Sequence, residues 1–212
     1  MVDSAAAVLQ WTGEGVRDVT VREMDSGPAD AMNMAEFSEA ELVAACLDGR
    51  RGAFDLIVER HRRPVYQICY RFMGNHEDAS DLSQEVFLRA FRGLKNFKGG
   101  SALGTWLHRI AVNTCLNRLA LKTPRTEPID EMQHVDTRSE SASERMLRDE
   151  RAVKVRAALA RLPRKQRAAL ILRTYQELSH QEVAEVLGTS VGAAKANVFH
   201  ALQNLKKLLG DV

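Results

Sequence analysis

From Ser38 to Leu209 the large apolar residues recur at three- and four-residue intervals, with one interruption, and that interruption most constrains the fold. Between Thr123 and about Ser143 the period is lost: Pro124, Pro128, acids, Ser and Thr take over, and large apolar residues are few. No stretch alternates as a strand does. The chain therefore reads as all-α, with two helical domains joined by an acidic flexible linker. Residues 1–36 form a flexible acidic arm, 37–122 a first lobe, 123–145 the linker and 146–212 a second lobe.

The formal net charge of +2 hides a segregation along the chain. Residues 1–49 hold two basic and ten acidic residues, whereas residues 50–122 hold thirteen basic and six acidic. Residues 123–145 return to an acidic excess, and residues 146–212 carry twelve basic against six acidic. Two basic lobes can each neutralise phosphates and release condensed counterions. Ordinary solvated helix surface accounts for the charge equally well.

No run reaches the ~20 apolar residues of a membrane span, and the short apolar stretch near Met1 has no positive leader, so a cytoplasmic protein is expected. Cys46, Cys69 and Cys115 lie far apart inside apolar helical patterns, which fits buried, reduced thiols better than a disulfide framework or zinc site.

The second lobe carries the sharpest pattern, LSHQEVAEVLGTSVGAAKANVFHALQNLK over residues 178–206. Ser179 and Glu182 have capping-box spacing, Gly188 suits a left-handed helix end, and Ser190 suits an N-cap directly afterwards. Two helices around so tight a break form a helix-turn-helix, whose second helix enters a DNA major groove. Small residues 192–194 let its start approach a DNA backbone. Lys195, Asn197, Phe199, His200 and Gln203 fall on its outer face, and Lys, Asn and Gln reach base edges or phosphates. An αα-hairpin with a solvated face is the alternative, and Phe199 also suits a partly buried anchor. Upstream, Pro163 marks a helix start, where Arg164, Lys165 and Arg167 can meet phosphates or simply be solvated.

The first lobe opens with a capping box at Ser38 and Glu41, and Pro64 is expected to kink or divide the helix that follows. In EDASDLSQEVFLRAF, residues Asp78, Asp81, Gln84, Glu85 and Arg89 share a polar rim while Leu82, Val86 and Phe87 face inward. Such a rim suits a protein partner or an ordinary amphipathic helix. Phe97 and Trp106 flank the Gly-rich KGGSALG segment, beside Lys98, and suit either stacking on unpaired bases or the core. Arg109, Asn113 and Asn117, spaced i, i+4 and i+8, share one face near Arg118, suited to phosphates and base edges or simply a solvated polar face.

Three segments, EDASDLSQEVFLRAFRGLKNFKG, TWLHRIAVNTCLNRL and LPRKQRAALILRTYQELSHQEVAEVLGTSVGAAKANVFHAL, resemble the extracytoplasmic-function sigma factors of bacterial RNA polymerase, in the order of that family's regions 2 and 4. The resemblance covers about residues 38–122 and 146–209. It implies a chain that binds core RNA polymerase, carries it to promoters and helps open them. By the same resemblance, Asp78, Asp81, Leu82, Gln84 and Glu85 contact the polymerase's largest subunits. Phe97, Lys98, Trp106, Arg109, Asn113, Asn117 and Arg118 engage and melt the −10 element. Arg164, Lys165, Ser190, Lys195, Asn197 and His200 serve the −35 element, and an anti-sigma factor is an expected partner. The chain departs from the family at Leu103 and Gly104, where many members carry an aromatic and an arginine.

Rival classes fit less well. A conventional activator needs a receiver or ligand domain, and no strand–helix alternation with a phosphoacceptor Asp occurs. A purely protein-binding adaptor predicts no salt-dependent DNA binding. The six histidines form no HExxH or similar ligand spacing and no phosphate loop is present, so no catalytic residue, metal or cofactor is expected.

Overall fold

The computed structural model describes residues 34–121 and 142–210, with only the backbone for 142–149. Every regular element among them is helical. Residues 1–33 of the acidic arm and most of the linker lie outside the described residues; at the arm's end, expected to be flexible, Met34 is buried and Arg60 donates to the Ala35 and Phe37 carbonyls at 2.7 Å, which ties residues 34–37 to the first lobe.

The first lobe contains α1 (Glu39–Leu47), α2 (Ala53–Met73), α3 (His76–Gly93), a 3-10 turn (Leu94–Asn96) and α4 (Leu103–Leu121). α1 begins where expected: the Ser38 hydroxyl accepts from the Glu41 amide, and the Glu41 carboxylate accepts from the Ser38 amide at 2.7 Å. Of the two outcomes expected at Pro64, a kink or a division, the division does not occur: Pro64 sits inside one continuous helix. An interior proline costs about 3 kcal/mol. Here Ile57 before it and Val65, Ile68 and Phe72 after it are all buried, so packing holds both halves against the core.

The second lobe contains α5 (Ala142–Arg161), α6 (Arg164–Tyr175), α7 (His180–Leu187) and α8 (Val191–Leu209). The lobes are packed together: their buried residues form one continuous cluster, with α4 set against α7 and α2 against α6. This contact explains α6, where all six residues from Arg167 to Leu172 are buried. A helix apolar on every side is one covered on every side.

Candidate nucleic-acid and polymerase interfaces

The α7–α8 unit is built by its caps. The Ser179 hydroxyl accepts from the Glu182 amide at 3.2 Å and the Glu182 carboxylate accepts from the Ser179 amide at 2.7 Å; these bonds hold the Glu182 carboxyl below its ordinary range. Gly188 ends α7 at φ 60°, and the Thr189 amide then donates to the Ala184 carbonyl at 2.9 Å. The Ser190 hydroxyl accepts from the Ala193 amide at 3.2 Å and starts α8 two residues after Gly188. Val183, Ala184 and Val186 of α7 and Ala194, Val198 and Ala201 of α8 are buried.

That packing turns Lys195 and His200 outward and leaves Asn197 half-buried. Phe199, also read as a possible anchor, is 57% exposed, its ring edge-on to His200. Arg164 and Lys165 are exposed at the start of α6. Arg167 is not: it is buried, and its Nη2 donates to the Arg71 and Phe72 carbonyls at 3.0 and 2.5 Å. The phosphate contact considered for Arg167 is thereby corrected, because its guanidinium is turned into the first lobe. Burial pushes that guanidinium down to about 10.

On α3, Asn75 caps the helix through the Asp78 amide at 2.8 Å and donates to the Asp78 carboxylate at 2.7 Å. Asp81 is exposed, and Gln84 and Glu85 are half-buried, with Glu85 accepting from Arg89 Nε at 2.9 Å. Leu82 is wholly buried, so its assignment as a contact residue is corrected. Its side chain supports the rim from beneath. The sequence reading missed Phe91, which is 61% exposed with its ring edge-on to Phe54 at 5.0 Å. Gln84, Leu88 and Phe91 recur at i, i+4 and i+7, a spacing that places Phe91 beside the rim.

Phe97 and Trp106 are half-buried, with ring centroids 5.2 Å apart, and both pack against the core. The Trp106 indole comes within 3.5 Å of where a Cβ on Gly93 would stand. Beside them a cleft of about 340 Å³ is lined by Phe97, Lys98, Ser101, Trp106, Arg109 and, from the second lobe, Glu185, among others. Asn113 and Asn117 are exposed and Arg118 half-buried farther along α4. Arg109, expected on that same face, donates from Nη2 to the Glu185 carbonyl at 3.0 Å, with the Glu185 carboxylate 3.8 Å away.

Behind this surface His61 and His108 are largely enclosed. His61 Nε2 lies 3.1 Å from the Glu39 carboxylate, and Gly104, one of the departures from the family pattern, leaves room for its ring. Burial above all, then His61, pushes His108 down to about 4, against the pull of Glu182. Cys69 and Cys115 are buried and Cys46 half-buried. Among the described residues no cluster of ligand side chains could hold a metal, and no helix is long and apolar enough to cross a membrane.

Comparison with known proteins agrees with this architecture. Residues 57–123 match sigma-70 region 2 and residues 152–205 match sigma-70 region 4. The RNA polymerase sigma-H factor of Pseudomonas aeruginosa is 34% identical over 185 residues, covering 83% of this chain and 96% of that protein. The extracytoplasmic-function sigma factor SigM of Mycobacterium tuberculosis is 38% identical over 176 residues, covering 82% and 86%. The sigma factor RpoE of Bartonella quintana, solved in complex with the anti-sigma factor NepR, shares the fold: TM-score 0.58 and 21% identity over 74% of this chain and 97% of that one. The chain belongs to the extracytoplasmic-function sigma factors, non-enzymatic proteins that direct RNA polymerase in transcription initiation.

Proposed function

We propose that the chain divides promoter recognition among three surfaces. The α3 rim of Asp78, Asp81, Gln84 and Glu85, extended by Phe91, docks on the largest subunits of core polymerase. An exposed aromatic beside charged groups is the composition of a protein-binding hot spot. The cleft at Phe97, Lys98 and Trp106, with Asn113, Asn117 and Arg118 of α4, takes the −10 element. Its half-buried rings offer faces for unstacked bases, and its cations meet the phosphates. Capturing those bases shifts the duplex toward its open form without chemistry by this chain. Lys195, Asn197 and His200 of α8 read the −35 element, with Ser190, Arg164 and Lys165 set for the backbone.

The observation that carries this reading is the cap geometry of α7–α8, which turns Lys195 and His200 outward while burying Ala194, Val198 and Ala201. Each DNA contact is weak alone; on one chain, held by polymerase, each raises the other's effective concentration. An anti-sigma partner is supported by the fold shared with the NepR-bound sigma factor. The protein works in the bacterial cytoplasm, on the nucleoid.

Run-off transcription with bacterial core polymerase over a library of promoter fragments tests the assignment. Starts that require this protein, and that are lost in Lys195→Ala and Asp81→Ala chains of unchanged helix content, are expected. Unaltered starts with both variants would show that other surfaces do the recognition.

A further inference from the structure

The first lobe grips the chain just before α1. Met34 is buried with Ala45 and Ala53 in a small core of its own, packed against Phe37 and Leu56. Arg60 of α2 donates to the Ala35 and Phe37 carbonyls, both at 2.7 Å. Whatever precedes Met34 is therefore tethered at that point.

The tether adjoins the −10 surface. Glu39, at the start of α1, lies 3.1 Å from His61 Nε2, and the His61 ring lies 3.5 Å from where a Cβ on Gly104 would stand. Gly104 is in the first turn of α4, two residues before Trp106. α1 also touches the 3-10 turn, whose last residue, Asn96, lines the cleft with Phe97, Lys98 and Trp106. Lys95 and Lys98 are exposed there.

The tethered segment has the composition of a competitor for a nucleic-acid site. Residues 1–33 hold Asp3, Glu14, Asp18, Glu23, Asp25 and Asp30 against only Arg17 and Arg22. Asp30 stands four residues before Met34, within about 14 Å of fully extended chain, and Asp25 nine before it, within about 32 Å. A carboxylate on so short a leash meets a neighbouring ammonium group at an effective concentration in the millimolar range, so pairs too weak to form between separate molecules are populated. Carboxylates at those ammonium groups stand where DNA phosphates would.

We propose that the acidic arm, residues 1–33, lies over the −10 cleft in the absence of DNA, with its carboxylates at Lys95 and Lys98, and competes there with promoter DNA. The competition rests on the −10 assignment proposed above; the docking of the arm does not.

Two measurements on the full chain test it. A zero-length carbodiimide joins a carboxylate to an amine as an amide, with loss of water, and peptide mass spectrometry then locates the pair. Links from acids of residues 1–33 to Lys95 or Lys98 are expected. The second measurement is the affinity for a short, mixed-sequence, fluorescein-labelled single-stranded DNA. Changing the six arm acids to Asn or Gln should tighten binding about tenfold, the factor for a cleft open in about one molecule in ten of the parent. The gain should shrink as salt rises and screens the arm's hold. Changing the six acids of residues 123–145 alters net charge equally and should yield a smaller gain, from general attraction alone. Circular dichroism verifies that both variants stay helical. No link to either lysine, or links only to lysines of the second lobe, overturns the docking. Links at Lys95 or Lys98 with a DNA gain no larger than that of the linker variant overturn the competition and remove the −10 assignment, leaving a docked arm over a surface that DNA does not use.

Discussion

Arg167 donates from Nη2 to the carbonyl of Phe72, a bond between residues ninety-five apart in sequence, and its guanidinium also lies over the Phe72 ring, 5.4 Å from the centroid. The bond joins the two lobes at a buried point, where water cannot replace a lost donor. Arg167→Met keeps much of the volume and leaves the Arg71 and Phe72 carbonyls unpaired. It should cost about 2–4 kcal/mol, within the range for removing a buried charged donor. Urea unfolding followed by circular dichroism measures it; a loss below about 0.5 kcal/mol would mean that water already reaches these carbonyls.

What could be read from sequence, and what could not, follows from range. Ser38 with Glu41 and Ser179 with Glu182 make bonds that span three residues, so the letters alone announce them. The apolar faces of α3 and α8 follow from period in the same way. Arg164, Lys165 and Arg167 look alike in sequence, yet only the third is buried, because its surroundings come from α2, almost a hundred residues earlier. A signal was available: Ala168 to Leu172 are five apolar residues in succession, and a helix with no solvent face there implies a second partner. Pro64 does not divide α2, because packing on both sides of it offsets the local penalty.

Leu82 and Asp81 are neighbours with separable roles. Leu82 is fully buried among α3's core residues, so Leu82→Ala should lower stability by about 2–5 kcal/mol through lost contacts and a cavity. Asp81 is exposed, so Asp81→Ala should leave unfolding within about 0.5 kcal/mol of the parent while weakening capture by core polymerase. Unfolding curves and a core-binding titration on both variants separate the two effects. Equal loss of core affinity at matched folded fraction would return Leu82 to the docking surface.

The recognition unit depends on two local devices. Ser179→Ala removes the hydroxyl that the Glu182 amide needs, which costs about 1 kcal/mol. Gly188→Ala forces a side chain into φ 60°, at a cost of about 1 kcal/mol, although the space around it is open. Both should lower the thermal midpoint by a few degrees, and together they should add, being separate mechanisms. Thermal melts of the single and double variants test this.

Lys195 is exposed on α8, and the −35 role proposed for that helix sets its ammonium within reach of a phosphate. Lys195→Ala should weaken holoenzyme binding to promoter DNA of any sequence and lower the slope of log affinity against log salt by about one. Asn197→Ala, half-buried on the same helix, should leave the slope unchanged and relax preference at one −35 position. Binding measured across a salt series on two promoters separates them. A salt slope unchanged by Lys195→Ala places its ammonium away from the backbone.

His108 sets how the structure meets acid. It is buried on α4, and burial, reinforced by His61, pushes it down to about 4 from an unfolded value near 6.5. Between those values the unfolded chain binds a proton that the folded chain does not, so stability rises with pH across this window. The contribution is complete above about pH 6.5 and is lost as pH falls toward 4. From pH 7 to pH 5 the loss from this one ring amounts to about 2 kcal/mol. His61, also lowered chiefly by burial, acts in the same direction. Exposed carboxylates held low by their caps, such as Glu182, add to the acid sensitivity, so only the difference between parent and variant isolates the histidine. His108→Gln, which cannot take up the proton, should unfold with a pH dependence about 2 kcal/mol shallower between pH 7 and pH 5. Parallel urea titrations of the two chains at both values measure that difference. Equal slopes would mean that His108 is already charged in the folded state, with Glu182 close enough to outweigh its burial.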